Sequence, residues 1–166
     1  MIQLYPSWLK INRMRCACPR ACHRCRFNKG ALMHQFSLRV HYEDTDMAGI
    51  VYYANYLKYI ERARSDWVRS LGIDQNRLRT AQGLVFAVRK ITADYLQPAH
   101  FDEPLQITTE MTKLTSARLY LQQNLYRDLD LLFQAQVVLV ALNAAGKATR
   151  LPAEFRLNSF VKITDL

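Results

Sequence analysis

The segment Tyr42-Glu43-Asp44-Thr45-Asp46-Met47-Ala48-Gly49-Ile50-Val51-Tyr52-Tyr53-Ala54-Asn55-Tyr56 places three carboxylates a few residues ahead of a strongly amphipathic stretch. A carboxylate there can attack a carbonyl, or activate water to do so, while the unpaired N–H groups of a helix start hold the carbonyl oxygen. Asp46 suits the task best. Met47-Ala48-Gly49-Ile50-Val51 offers little that would solvate its charge, and Gly49 permits close backbone approach. Such an oxyanion donor is typically worth about 3 kcal/mol. The plainer use of an Asp before a helix is as an N-cap, and Glu43 and Asp44 read equally as a solvated turn or a cap.

Other chemistries are excluded by what the chain lacks. It has no G-x-S-x-G elbow, no G-x-x-x-x-G-K-S/T phosphate loop and no H-E-x-x-H pair. All four cysteines (Cys16, Cys18, Cys22, Cys25) precede residue 34, and His34, His41 and His100 are scattered. If residues 34–166 form an enzyme, a carboxylate is therefore left to act as nucleophile or general base.

The elements that must position Asp46 follow from periodicity. Phe36, Leu38, Val40 and Tyr42 alternate with Ser37, Arg39 and His41, the period-two pattern of a half-buried strand. From Asn55 to Leu71, Tyr56, Ile60, Ala63, Trp67 and Leu71 fall on one helix face, with Asn55 as N-cap and Gly72 as the stop. A polar connection covers 75–83. Four strands follow, near 84–96, 105–113, 117–127 and 131–142, the last two joined as a hairpin through Asp128-Leu129-Asp130. Short connections favour antiparallel pairing. The expected class is α+β, a five-stranded antiparallel sheet wrapped around one long helix. Glu61 and Arg64 are spaced for a surface ion pair, with Arg62 facing solvent.

One helix covers one face of such a sheet. Leu84-Val85-Phe86-Ala87-Val88 and Val137-Val138-Leu139-Val140-Ala141 are continuously apolar, which predicts burial on both sides and hence a homodimer or homotetramer.

The chain of 166 residues divides at about residue 33. Seven of its 23 Lys and Arg residues lie in 1–33, where there is no Asp or Glu. Residues 34–166 carry 16 basic and 14 acidic side chains, so the net charge of +9 is poor support for nucleic-acid binding by the folded part. The Cys-x-Cys-x3-Cys-x2-Cys cluster has enough thiolates for zinc but lacks the two separated knuckles of the usual site. It is read as part of a basic, disordered extension, or as upstream sequence ahead of a natural start at Met33, and no metal is expected. No window approaches the ~20 apolar residues that span a bilayer. The expected location is cytoplasmic.

The run Val40-His41-Tyr42-Glu43-Asp44-Thr45-Asp46, then Gly49-Ile50-Val51-Tyr52, Ala54-Asn55-Tyr56-Leu57 and Glu61-Arg62-Ala63-Arg64, closely resembles hotdog-fold acyl-CoA thioesterases of the 4-hydroxybenzoyl-CoA thioesterase superfamily. It is most similar to the YbgC-type branch associated with the bacterial Tol-Pal system. The resemblance resumes at Phe86-Ala87-Val88-Arg89-Lys90 and Asp94-Tyr95-Leu96-Gln97-Pro98-Ala99. It implies active sites at a subunit interface, with Asp46 as the catalytic carboxylate, the backbone N–H of Tyr53 polarising the thioester carbonyl, and Tyr42 as an aromatic near the site. The branch usually has His where this chain has Tyr53, so the acyl preference does not follow from the branch. No cofactor is implied.

Coenzyme A is polyanionic. The resemblance implies that its nucleotide end lies over the loop joining the middle strands, where Lys113, Ser116 and Arg118 are suitably polar, with Arg150 a further candidate; Gly49, by lacking a side chain, admits the substrate close to the backbone. Acyl-CoA is the expected substrate, with acyl carrier protein as a second source of thioester and membrane contact at most peripheral. A non-enzymatic acyl-binding module, or a scaffold for Tol-Pal or lipid synthesis, is the competing expectation.

Overall fold

The computed structural model describes residues 33–153 and 155. The extension expected over 1–33 and its cysteine cluster fall outside the described residues, Met33 excepted. The chain forms β1 (His34–Arg39), a 3-10 turn (Tyr42–Asp44), α1 (Tyr53–Ser70), α2 (Gln75–Gln82), β2 (Val85–Tyr95), β3 (Pro104–Leu114), β4 (Arg118–Arg127) and β5 (Asp130–Leu142). The strands make one antiparallel sheet in the order β1-β3-β4-β5-β2. The five-stranded α+β expectation holds, with the two helices α1 and α2 among the described residues where one was expected.

α1 is the helix that the periodicity predicts. Tyr56, Tyr59, Ile60, Ala63 and Trp67 are each at most 4% exposed and pack over Ile107, Leu121, Leu125 and Phe133 of the sheet. Full burial of such side chains typically contributes about 1.5–3 kcal/mol apiece. The helix ends at Ser70, and Gly72 turns the chain with φ +76°. α2 escapes a periodicity reading because only Leu78 of its residues is buried. Asp74 starts it, its carboxylate accepting from the N–H groups of Asn76 and Arg77, and Gly83 at φ +60° ends it.

Arg64 departs from expectation. It turns inward instead of pairing with Glu61, which accepts from Ser65 Oγ. Arg64 is 8% exposed and donates to Gln123 Oε1 at 3.0 Å. Gln123 in turn donates to the Ile60 carbonyl and Thr109 Oγ1, tying the middle of α1 to the sheet. Burial lowers the guanidinium's pKa, and Glu61 partly offsets this. Arg62 faces solvent as expected.

The apolar run at the start of β2 is not buried on both sides within one chain. β2 is an edge strand, and Val85 and Val88 are 38% and 46% exposed. Among the described residues, no helix is long and apolar enough to cross a membrane, and no cluster of His, Cys, Asp and Glu could hold a metal ion.

Candidate active site

Asp46 sits on a closed turn. Its N–H donates to the Ile50 carbonyl and its own carbonyl accepts from Gly49 N–H, both at 2.9 Å. Gly49 takes φ +74°, which favours glycine, and a Cβ there would meet nothing within 4 Å. Bridges Thr45↔Val51 and Ile50↔His100 hold the turn against its neighbours. Asp46 Oδ1 accepts from Ala48 N–H at 2.8 Å. The side chain is otherwise exposed, and Oδ2 makes no recorded hydrogen bond within the described residues.

The N-cap of α1 is Tyr52, whose side chain caps nothing. The N–H groups of Tyr53 and Ala54 have no recorded acceptor among the described residues, as expected for a helix start whose donors are not claimed locally. Asn55, expected as the N-cap, lies inside the first turn. Its Nδ2 donates instead to the carbonyl of Asp44 at 2.9 Å.

Asp46 and Tyr53 line one cleft of about 450 Å³, with Tyr52, Tyr56, Tyr95 and Pro98 among its walls. Tyr95 closes one side, its ring edge-on to Tyr53 and Tyr56 and its Oη donating to the Tyr53 carbonyl at 3.3 Å. Tyr56 Oη accepts from Ala99 N–H. The Tyr53 hydroxyl first, and Asp46 more weakly, push the Tyr52 phenol above its ordinary pKa. Burial does the same to Tyr56 and Tyr95. These phenols stay protonated at neutral pH, which leaves Asp46 as the one carboxylate among the described lining residues.

Tyr42 does not line this cleft within one chain. β1 ends at Arg39, and the 3-10 turn buries Asp44 while leaving Tyr42 82% exposed, edge-on to Phe101. The cap reading of Asp44 holds, since its carboxylate accepts from His41 N–H, but the residue is 4% exposed instead of solvated.

Lys113, Ser116, Arg118 and Arg150 gather at the other end of the sheet. Lys113 Nζ lies over the Tyr120 ring, and Leu151 N–H donates to the Ser116 carbonyl, which brings Arg150 alongside. The cleft end of β4 is marked by Leu125, paired with Phe133, on which Tyr95 packs. From Arg118 to Leu125 is roughly 23 Å at the usual strand rise. Within one chain these basic residues therefore do not reach Asp46.

Periodicity does not single out Tyr95 or Pro98 as site residues, because they lie about fifty positions along the chain from Asp46. Their only sequence signal is the run Asp94 to Ala99, which matches the family in register.

A helix laid across a five-stranded antiparallel sheet is the hotdog arrangement. Residues 40–158 match the model of the thioesterase-like superfamily, and the chain belongs to that family. It is 39% identical over 102 residues to the acyl-CoA thioesterase YbgC of Haemophilus influenzae, covering 61% of this chain and 75% of that one. It is 37% identical over 112 residues to the acyl-CoA thioester hydrolase YbgC of Escherichia coli O157:H7, covering 67% and 83%. Among solved structures, a probable thioesterase from Bartonella henselae superposes with a TM-score of 0.70 at 35% identity, covering 72% of this chain and 99% of that one. The resemblance to the YbgC branch is borne out.

Proposed function

We propose that this chain is an acyl-CoA thioesterase that hydrolyses its substrate to a free acid and coenzyme A. The observation that carries the proposal is the shared cleft: Asp46 and Tyr53, whose N–H has no acceptor among the described residues, both line it. The names of the YbgC relatives supply the thioester class.

Two routes fit these groups. In one, Asp46 attacks the carbonyl carbon, the thiolate leaves, and water hydrolyses the resulting anhydride to return the carboxylate. In the other, Asp46 takes a proton from water, whose oxygen attacks the carbonyl, and the proton passes to the departing thiolate. In both, negative charge grows on the carbonyl oxygen, where the Tyr53 N–H and the positive end of α1 stabilise it. Gly49 leaves space for the thioester to approach the backbone.

Lys113, Ser116, Arg118 and Arg150 enter through assembly. β2 is an edge with apolar residues exposed. If two β2 edges pair antiparallel, the Val85 end of the partner lies beside the Tyr95 end of this chain. The partner's β3–β4 hairpin then comes towards the cleft, where its basic residues meet the phosphates of coenzyme A. Tyr42 would face the same interface. The catalytic unit is taken as 34–166, acting in the cytoplasm or peripherally at the inner membrane as the Tol-Pal branch implies, with acyl carrier protein as a second thioester source.

The test is thiol release by the full chain and by Asp46→Asn from short aliphatic, long aliphatic and aryl CoA thioesters. Loss of activity by orders of magnitude in the variant is expected. Single-turnover hydrolysis in ¹⁸O water separates the routes: attack by water places the label in the product acid, whereas direct attack followed by hydrolysis of the anhydride at the Asp46 carbonyl places it in the Asp46 carboxylate. Full activity in Asp46→Asn would remove the carboxylate from the mechanism.

A further inference from the structure

Catalysis by two groups on different elements requires that something fix their separation. Asp46 is carried by a turn and the Tyr53 N–H by a helix, and the two must converge on one carbonyl. The attacking atom needs to stand about 3–3.5 Å from the carbon, and displacement by about 1 Å typically costs 100-fold in rate. The connection between the two elements is concentrated on one oxygen. The backbone carbonyl of Asp44, two residues before Asp46, accepts from Tyr52 N–H and from Asn55 Nδ2, each at 2.9 Å.

Asp44 is itself held from below. Its Oδ2 accepts from His41 N–H at 3.0 Å, and the residue is buried. Tyr59 is fully buried, and its hydroxyl makes no hydrogen bond of ordinary geometry among the described residues. Burial first and the Asp44 carboxylate second raise the pKa of this phenol, so Asp44 and Tyr59 are near neighbours in the core. The Asp44 carbonyl is thus a fixed point, not part of a loose loop.

Asn55 is an unexpected residue to find inside a helix start. At 6% exposure it has little solvent to satisfy its amide, and it does not cap its own helix. Acidic residues are the ones the positive end of a helix favours, yet the first turn of α1 has none. An acid at this position would set a carboxylate against the Asp44 carbonyl. Only a donor serves there, and the amide of Asn55 supplies it.

We infer that Asn55 is a positioning residue for thioester hydrolysis: its amide clamps the Asp44 carbonyl and so sets the distance between the Asp46 carboxylate and the Tyr53 N–H. The role rests on the site proposed above. It touches neither substrate nor reacting atoms, and it acts on the transition state more than on binding.

The experiment compares Asn55→Ala and the isosteric Asn55→Asp with the unsubstituted full chain, by steady-state thiol release and far-UV circular dichroism. Each is also made in a Tyr53→Pro background, which lacks the backbone donor. We expect kcat to fall about 10- to 100-fold with KM within about twofold and an unchanged fold. In the Tyr53→Pro background the further loss should shrink to less than about threefold, because there is no longer a donor to align. A kcat equal to that of the unsubstituted chain, a loss confined to KM, or an equal loss in both backgrounds would overturn the role. Should Asn55→Ala not fold, Asn55→Asp carries the same comparison. If Asp46→Asn is inactive while Asn55→Ala is fully active, this inference alone fails; if Asp46→Asn is fully active, the proposed site fails with it.

Discussion

Tyr53→Pro removes one backbone hydrogen and little else from the helix. Tyr53 is the first residue of α1, where proline is well tolerated because the N–H has no intrahelical acceptor and the ring presets a helical φ. The preceding residue must be extended for proline to fit, and Tyr52 already has φ −59° and ψ 131°. The side chain changes as well, so the proper reference is Tyr53→Ala, which loses the ring contacts with Tyr52 and Tyr95 but keeps the N–H. Loss of one oxyanion donor typically costs 100- to 1,000-fold in kcat, about 3–4 kcal/mol. The expected kcat for Tyr53→Pro is lower than that for Tyr53→Ala by this factor, with thermal midpoints of the two within a few degrees. Thiol release at saturating acyl-CoA measures the first quantity and circular dichroism the second. Equal kcat values in two folded variants would refute the assignment of the Tyr53 N–H to the carbonyl oxygen, and with it the use made of the helix start.

Replacing Lys113 and Arg118 together by Ala should raise KM for acyl-CoA more than it lowers kcat, and the effect should weaken at high salt; an unchanged KM removes them from the site. Gln123→Leu leaves the buried Arg64 without its side-chain acceptor and removes the side-chain donor to the Ile60 carbonyl. It should lower stability by roughly 3 kcal/mol in urea unfolding, and a loss below about 1 kcal/mol would show that the network does little to hold α1. Burial alone would raise the Glu103 pKa, but the His100 N–H and the Arg127 guanidinium outweigh it and hold the carboxyl below its ordinary range. Its stabilising contribution is therefore present above the unfolded-state pKa and disappears as pH falls through the folded-state value. Glu103→Gln should be less stable than the unsubstituted chain by roughly 1 kcal/mol at pH 7, with the gap closing at low pH; a gap independent of pH would show that the charge is not its source.

Features that depend on neighbours along the chain are legible in the residues alone. The alternation at Phe36 to Val40 and the helical spacing of Tyr56, Ile60, Ala63 and Trp67 are local patterns, so strand and helix could be read from them, and the short connections between strands gave their antiparallel pairing. The same holds for the candidate carboxylate, because Asp46 and the start of α1 are only seven residues apart. Tertiary structure decided what depends on distant residues. Asp44 is buried and Asp46 exposed, although both are loop acids two positions apart, because Tyr59 and the 3-10 turn enclose the first and nothing encloses the second. Asn55 donates to a carbonyl eleven residues back instead of capping its helix, and Arg64 finds Gln123 across the core instead of Glu61 on its own face. Tyr95 enters the cleft from the far end of β2. Spacing along a chain fixes which residues can share a face, but a buried donor or acceptor takes the partner that the packed core brings to it, and that partner has no fixed place in the sequence.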